Sequence, residues 1–406
     1  MPVCQFQHQR VYIGAIRGII AVAHALSIRI NRGGGSRQDE PIDRGGLRSC
    51  HAGAQSSLVA HPALEAAVTR IVLDGMGSDD HPAPEIEAAL ECARRWGDPI
   101  MLTGPLTALE PVLRRSSGEK ADVLLVDAPE VLEMADHPAE SARKKALNSM
   151  AVGMDLVKHG EADAFVTAGN TGGAMANALF RLGRARGVKR PALTPLFPVR
   201  GGQCAVLDIG ANTDCRPEYL AQFAVMGSIY AEVVQGKHSP RVALLSNGEE
   251  SGKGNQLIKD AYLLIQQAGL NFIGNIEPKE LYAGYADVVV ADGFVGNVFL
   301  KTSEAVAGFL SDLLREHIQA SPLTSVGGLL ARPAFRRVGR IMDPAEYGAV
   351  PLLGIDGLVF IGHGRSDARA LVNAVKGARL AVERGLLPAL RQAIQARLGT
   401  VAEASA

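Results

Sequence analysis

Five cysteines in 406 residues, at positions 4, 50, 92, 204 and 215, are too few and too scattered for a disulfide framework. Their number is odd and no two form a Cys-x-x-Cys pair, which speaks against a structural zinc site and for a reducing cytoplasm. Charge of one sign is not in excess either. The 42 basic side chains are matched by 42 acidic ones, so a surface basic all over, as nucleic-acid binding would need, is excluded, although a local basic patch is not. No Gly-x4-Gly-Lys-[Ser/Thr] phosphate loop occurs. The nearest approach to a dinucleotide fingerprint, Gly75-Met-Gly77-Ser-Asp-Asp80, places a carboxylate where the third glycine belongs, and Asp79 and Asp80 would repel a pyrophosphate. No histidine pair has ligand spacing and the aspartates are scattered, so no metal site is expected.

A clean membrane span is missing too. Val11–Ile30, VYIGAIRGIIAVAHALSIRI, has the length, but Arg17 lies inside it and Arg29 near its end. An arginine near the bilayer centre costs roughly 2.5–3.5 kcal/mol on insertion scales. Arg10, Arg17 and His24 recur every seven residues, which suits a helix lying on a surface better than one crossing it. No small-x-small cleavage site follows, so a secretory signal is not expected. Residues 31–60 are rich in Gly, Ser and charge and read as linker. Residues 1–68 are therefore expected to be a weakly ordered extension, and 69–400 the working domain.

The chain as a whole is 47% hydrophobic and 21% charged, the composition of a well-packed soluble protein. From Arg70 onward short apolar, often β-branched runs alternate with helix-length amphipathic stretches. Strands are expected at Ile71–Leu73, Ile100–Leu102, Val123–Val126, Ala164–Thr167, Cys204–Leu207, Val242–Leu245, Asn271–Ile273, Val288–Val290 and Leu358–Ile361. Strands with helices between them imply an α/β fold: a mostly parallel sheet with helices on both faces, binding ligands at the carboxyl ends of its strands. Glycine, Asn and Asp gather at those ends, in LDGMGSDD, TAGNTGG, LDIGANTD, LLSNGEESGKGN, ADGFVGN and FIGHGRSD.

These loops carry the candidate chemistry. Gly169, Asn170, Thr171 and Gly172 sit between a strand and a helix, where backbone N–H groups and the helix dipole attract an anion. Lys253, flanked by glycines, is a point charge suited to a phosphate or an oxyanion. Asn297 stands where either helix capping or substrate contact is possible, and His363 between two glycines could move a proton. Cys215 has no histidine in its local sequence to activate it as a nucleophile. Lys301–Ala320 is expected to be a long helix with Val306, Phe309, Leu310, Leu313, Leu314 and Ile318 on one stripe. The chain is then expected to turn through SPLTSVGGLL and return as ARPAFRRVGRIM. The result is a projecting helical hairpin over about residues 301–342. Its tip is apolar at Val326, Leu329 and Leu330, and Arg332, Arg336 and Arg340 lie along one side. Such a hairpin fits an anionic membrane surface or an acidic protein.

In order and spacing, LDGMGSD, ADAFVTAGNTGGAMA, VLDIGANTDCRPEYLAQFAVMGSIYAE, GEESGKGN, NFIGNIEP, ADGFVGNVFLKTSE and YGAVPLLGIDGLVFIGHGRSDARA resemble the PlsX-type phosphate acyltransferases. The resemblance covers about residues 70–385. It implies a Rossmann-like fold and transfer of a long-chain fatty acyl group from acyl carrier protein to inorganic phosphate. The acyl phosphate would serve a glycerol-phosphate acyltransferase downstream, in phospholipid synthesis. It further implies a homodimer, no cofactor, no nucleic-acid partner, and a cytoplasmic enzyme attached peripherally to membranes through the hairpin. By motif position, Lys253 and Asn297 are the implied catalytic residues, and Asn212, Asp214 and His363 join residues 169–172 as candidates for substrate or phosphate binding. The chain departs from the family pattern at Ser78, Thr213, Ala146 and Leu147, and the N-terminal extension is not part of it.

Overall fold

In the computed structural model, which describes residues 68–116 and 122–404, each of the expected strands forms at or within a few residues of its apolar run. The chain runs β1 (Ile71–Asp74), α1 (Ala83–Trp96), β2 (Ile100–Gly104), α2 (Leu106–Ser116), β3 (Val123–Asp127), α3 (Pro138–Lys144), α4 (Ser149–Lys158), β4 (Ala164–Thr167) and α5 (Thr171–Arg181). Three strands follow, β5 (Ala192–Leu193), β6 (Leu196–Val199) and β7 (Gly202–Leu207), and then α6 (Pro217–Val233), β8 (Val242–Leu245), α7 (Gln256–Gln267) and β9 (Phe272–Ile276). The remainder is α8 (Pro278–Ala283), β10 (Val288–Val290), α9 (Gly293–Gln319), α10 (Pro322–Met342), β11 (Ala349–Leu353), β12 (Val359–Gly362), α11 (Ala368–Glu383) and α12 (Leu386–Ala404). The extension helix expected at Val11–Ile30 lies outside the described residues.

Two sheets result. One has seven strands in the order β3-β2-β1-β4-β12-β11-β5, the other five in the order β6-β7-β10-β8-β9. Every pairing is parallel except those of β11 with β12 and β5 and of β6 with β7. The central strands β1, β4, β8 and β10 are buried at every residue, which is why they read as unbroken apolar runs rather than alternating ones. Helix α6 is buried almost all round, from Leu220 to Ala231, and packs against α7, α12 and β10.

The strands not foreseen are β5, β6 and β11, which make the antiparallel pairings. Pro198 in β6 and Pro351 in β11 demote both runs as strand candidates, and β5 spans only two residues.

The projecting hairpin forms, with different bounds. Its first helix begins at Gly293, eight residues before the expected Lys301, and the turn is confined to Ala320 and Ser321. Ser321 caps α10 in a reciprocal box with Thr324, and Pro322 takes the first helical position, where its missing N–H costs nothing. Val326, Leu329 and Leu330 therefore lie on the opening turns of α10, not in a loop. No residue of α10 is buried.

Candidate active site

Two buried aspartates at strand ends organise the loops. Asp74 closes β1 and accepts from the Thr167 hydroxyl at 2.7 Å and from the Met76 N–H at 3.1 Å. Thr167 in turn accepts the Gly169 N–H at 2.9 Å, so Asp74 fixes the start of the TAGNTGG turn through one hydroxyl. Burial pushes the Asp74 carboxyl upward, against the pull of its hydrogen bonds. Asp208 follows β7 and gathers the N–H groups of Leu193, Gly210, Ala211 and Asn212 together with the Asn212 amide. Burial raises its pKa too, and those donors oppose the rise. Neither aspartate stood out in the sequence, although both occupy the same Leu-Asp position before a glycine-containing loop.

In the larger sheet the loops after β1, β4 and β12 meet. A methyl on Gly77 would stand 2.9 Å from the Ala168 nitrogen, so only glycine allows that approach. The Asp79 N–H donates to the Gly364 carbonyl at 2.8 Å. His363 beside it is exposed, and its Nδ1 accepts the Arg365 N–H at 3.2 Å.

At the start of α5 the side chain of Asn170 is committed internally. Its Oδ1 accepts the Gly173 N–H at 2.9 Å, and its amide donates to Met134 O at 2.9 Å and Asp136 O at 3.4 Å. It therefore works as the helix cap and as a tie to the loop before α3. The N–H groups of Thr171 and Gly172, by contrast, have no acceptor among the described residues. Two free donors and the positive end of a helix are what an anion needs.

The smaller sheet is arranged otherwise. The start of α9 presents no free donor. Gly293 N–H binds Asn212 O at 2.8 Å, Phe294 and Val295 bind the Asp292 carboxylate at 3.1 and 2.9 Å, and Gly296 binds Asp292 O at 2.9 Å. A methyl on Gly293 or Gly296 would overlap the backbone oxygens of Asn212 and Asp208, so both glycines are required by the seat of α9 on the loop after β7. Asn297, one turn into α9 and exposed, lies against Gly210 of that loop. Asp292, not Asn297, is the cap. Asn212 spends its amide on Pro191 O and Asp208, at 2.7 and 3.0 Å, and so holds the loop rather than projecting from it. Asp214 is exposed and has no hydrogen bond or ion pair among the described residues.

Lys253 lies in the loop after β8, the neighbour of β10. Its stem passes over Gly248, where a methyl would stand 2.7 Å from Lys253 Cγ, and its ammonium is exposed without an acidic partner among the described residues. The Asn247 side chain shapes that turn by accepting the Gly254 N–H at 3.0 Å. Cys215 is half-buried, its thiol facing Asn212 O at 3.5 Å, and burial pushes its pKa up to about 11. Such a thiol stays protonated at neutral pH, which removes the main requirement for nucleophilic attack.

An open trough of about 650 Å³ runs along the first half of α9. Asn297 and Thr213 stand at one end, and Val298, Ala305, Val306 and Phe309 carry an apolar floor away from them. Lys253, His363 and residues 169–172 do not line it. Among the described residues no group of His, Cys, Asp and Glu is arranged to hold a metal, and no helix is long and apolar enough to cross a membrane.

Residues 69–388 match the family model described as "Fatty acid synthesis protein". A protein named phosphate acyltransferase from Syntrophotalea carbinolica is 46% identical over 312 residues, covering 77% of this chain and 90% of its own length. One of the same name from Pelotomaculum thermopropionicum is 46% identical over 326 residues, 80% of this chain and 95% of its own length. Among solved structures, the EutD phosphotransacetylase from Staphylococcus aureus shares the fold, with a TM-score of 0.51 at 18% identity over 78% of this chain and 95% of that one. The chain belongs to the PlsX-type phosphate acyltransferase family and is an acyltransferase with a Rossmann-like α/β fold.

Proposed function

We propose that the acyl group moved to phosphate by this enzyme is a long fatty chain, delivered as a thioester on acyl carrier protein. The trough carries this reading. From Asn297 to Phe309 it follows α9 for about 18 Å at 1.5 Å per residue, far more than an acetyl group fills. An apolar floor of that length rewards burial of each methylene by about 0.8 kcal/mol.

In this reading inorganic phosphate is held by the Thr171 and Gly172 N–H groups, with Lys253 supplying positive charge. Phosphate is largely dianionic near neutral pH and needs no general base. One of its oxygens attacks the thioester carbonyl carbon, the new C–O bond forms, the C–S bond breaks, and the departing thiolate takes a proton from water. Asn297 donates to the carbonyl oxygen as negative charge develops there. His363 is assigned to the edge of the phosphate site, and Asp214, next to Thr213 of the trough, to the edge of the acyl-donor site. Direct transfer is supported by the half-buried Cys215 thiol, which faces the Asn212 carbonyl rather than a base and whose pKa burial pushes up to about 11.

The exposed apolar side chains of the hairpin, among them Phe309, Leu323, Leu329 and Leu330, support contact with a second copy of the chain and with an anionic lipid surface. Arg332, Arg336 and Arg340 on α10 would face the lipid headgroups. The enzyme would then work in the cytoplasm as a peripherally bound homodimer, handing acyl phosphate to a glycerol-phosphate acyltransferase for phospholipid synthesis. The test is phosphate-dependent release of free thiol from palmitoyl-acyl carrier protein, with acyl phosphate trapped by hydroxylamine and acetyl-CoA run in parallel. Turnover of acetyl-CoA alone would overturn the reading in favour of a short-chain phosphotransacetylase.

A further inference from the structure

The densest run of positive charge in the chain belongs to neither the site nor the hairpin. Residues 181–190, RLGRARGVKR, hold five basic side chains and no acidic one in a protein whose net charge is zero. Arg181 is committed to Asp155 at 2.9 Å and to Ala146 O. The other four, Arg184, Arg186, Lys189 and Arg190, are exposed and have no carboxylate partner among the described residues.

Their display is built into the backbone. Ala185 and Val188 turn inward and are buried, which sends their neighbours outward. Gln222 of α6 clamps the loop from both sides, accepting the Lys189 N–H at 2.7 Å and donating to Gly187 O at 3.1 Å. The Arg184 guanidinium donates to Lys189 O at 2.6 Å and closes the turn on itself. Like charges are thus held close together on a fixed frame, which is unfavourable unless a negative surface meets them.

The loop is wired to the reaction site at both of its neighbours. The Arg190 guanidinium lies 6.0 Å over the ring of Tyr219, in the first turn of α6, and the segment leading into that turn includes Thr213, which lines the trough. On the other side, Pro191 O accepts the Asn212 amide and the Leu193 N–H binds Asp208, the residues that seat α9 and Asn297.

We propose that Arg184, Arg186, Lys189 and Arg190 form the docking surface for an acidic protein that brings the acyl thioester to the trough. The inference rests on the carrier-protein donor proposed above. A protein is favoured over a lipid surface because the apolar residues of the loop itself, Ala185 and Val188, turn inward and no large apolar side chain is exposed from Arg181 to Arg190, unlike on the hairpin. The hairpin has such groups, and the two basic surfaces divide the two partners.

The test uses the full-length enzyme carrying Arg186→Glu and Lys189→Glu, side chains that make no contact the fold depends on. With palmitoyl-acyl carrier protein as donor, KM for the donor should rise at least about ten-fold, with loss of its salt dependence, because complementary charges govern encounter. The kcat and the KM for phosphate should stay unchanged. Donor KM within two-fold of wild type would overturn the docking surface, and so would loss of binding to phosphatidylglycerol vesicles with the donor KM preserved. If wild-type enzyme does not turn over the carrier-bound donor at all, the proposed donor itself fails, and this surface with it. The milder Arg186→Ala and Lys189→Ala double variant, expected to shift KM in the same direction by less, separates a charge effect from damage to the loop.

Discussion

Asn297 and Gly210 touch across the seam between α9 and the loop after β7: a methyl on Gly210 would stand 3.1 Å from Asn297 Nδ2. Gly210 also has φ of +144°, in the range that side-chain-bearing residues avoid. The position is therefore glycine for two reasons at once, and the amide of Asn297 takes its place from the loop that Asp208 folds.

That contact predicts the behaviour of Gly210→Ala. The added methyl pushes the Asn297 amide away and strains the loop. Misplacement of a reacting group by around 1 Å can cost about 10²-fold in rate. The expected outcome is a kcat lowered on that order, with near-normal circular dichroism and little change in KM for phosphate, measured by thiol release. A variant with wild-type kcat would show that Asn297 does not act from this seat.

Gly296 predicts a different failure. A methyl there overlaps the Asp208 carbonyl oxygen, which is rigid backbone rather than a side chain that could swing aside. Overpacking of this kind costs about 1–3 kcal/mol and occasionally more. Gly296→Ala should lower Tm by several degrees and also reduce activity, because the base of α9 must lift. Trp96, the chain's one tryptophan, packs under the Arg379 guanidinium at 5.6 Å and gives a fluorescence probe for unfolding.

These glycines mark the boundary of what the sequence discloses. Parallel strands such as Val288–Val290 announce themselves, because burial on both faces selects unbroken β-branched runs. The antiparallel strands hide, because Pro198 and Pro351 are tolerated only where ladder hydrogen bonding is incomplete. The opening of α9 reads as a loop, since Gly-Phe-Val-Gly-Asn is a poor helix start on propensity alone. Tertiary contact decides otherwise, through the approach of Gly293 and Gly296 to the loop after β7. Among the candidate site residues, chain position singled out Lys253 and Asn297, and both prove exposed at loop and helix starts beside strand ends. It did not reveal that Asn170 and Asn212 spend their side chains on the fold, because a capping asparagine and a ligand-binding one have the same spelling.

The three cysteines among the described residues predict an alkaline limit to stability. Burial pushes Cys92 and Cys204 up to about 12 and Cys215 up to about 11, from an ordinary thiol value of 9.0. A folded pKa above the unfolded one means that the stabilisation is fully present below the unfolded value. It is lost as pH rises, because the unfolded chain ionises first. Stability by urea titration should be flat in this respect up to about pH 8.5 and fall between roughly pH 9 and 12. Replacing Cys92 and Cys204 by alanine or valine should flatten that fall. Cys215→Ser should retain most of the activity, and mass spectrometry of enzyme quenched during turnover should show no acyl adduct on Cys215. A trapped thioester there would overturn direct transfer.

Lys253 combines an exposed ammonium, no ion pair among the described residues and a position on a glycine-shaped turn, so its replacement separates stability from chemistry. An exposed side chain without partners contributes within about 0.5 kcal/mol to folding, and Lys253→Ala should leave Tm unchanged. Removing a charge that stabilises a phosphate nucleophile or a developing oxyanion typically costs about 10²–10³-fold in rate. The expected result is a loss of that order in kcat/KM for phosphate with the KM for the acyl donor little altered. Lys253→Arg should recover only part of it, because the broad planar guanidinium does not replace a compact point charge. Equal losses toward phosphate and donor would move Lys253 from the phosphate to the thioester. An unaffected Lys253→Ala enzyme would remove it from the chemistry altogether and leave the anion to the Thr171 and Gly172 N–H groups.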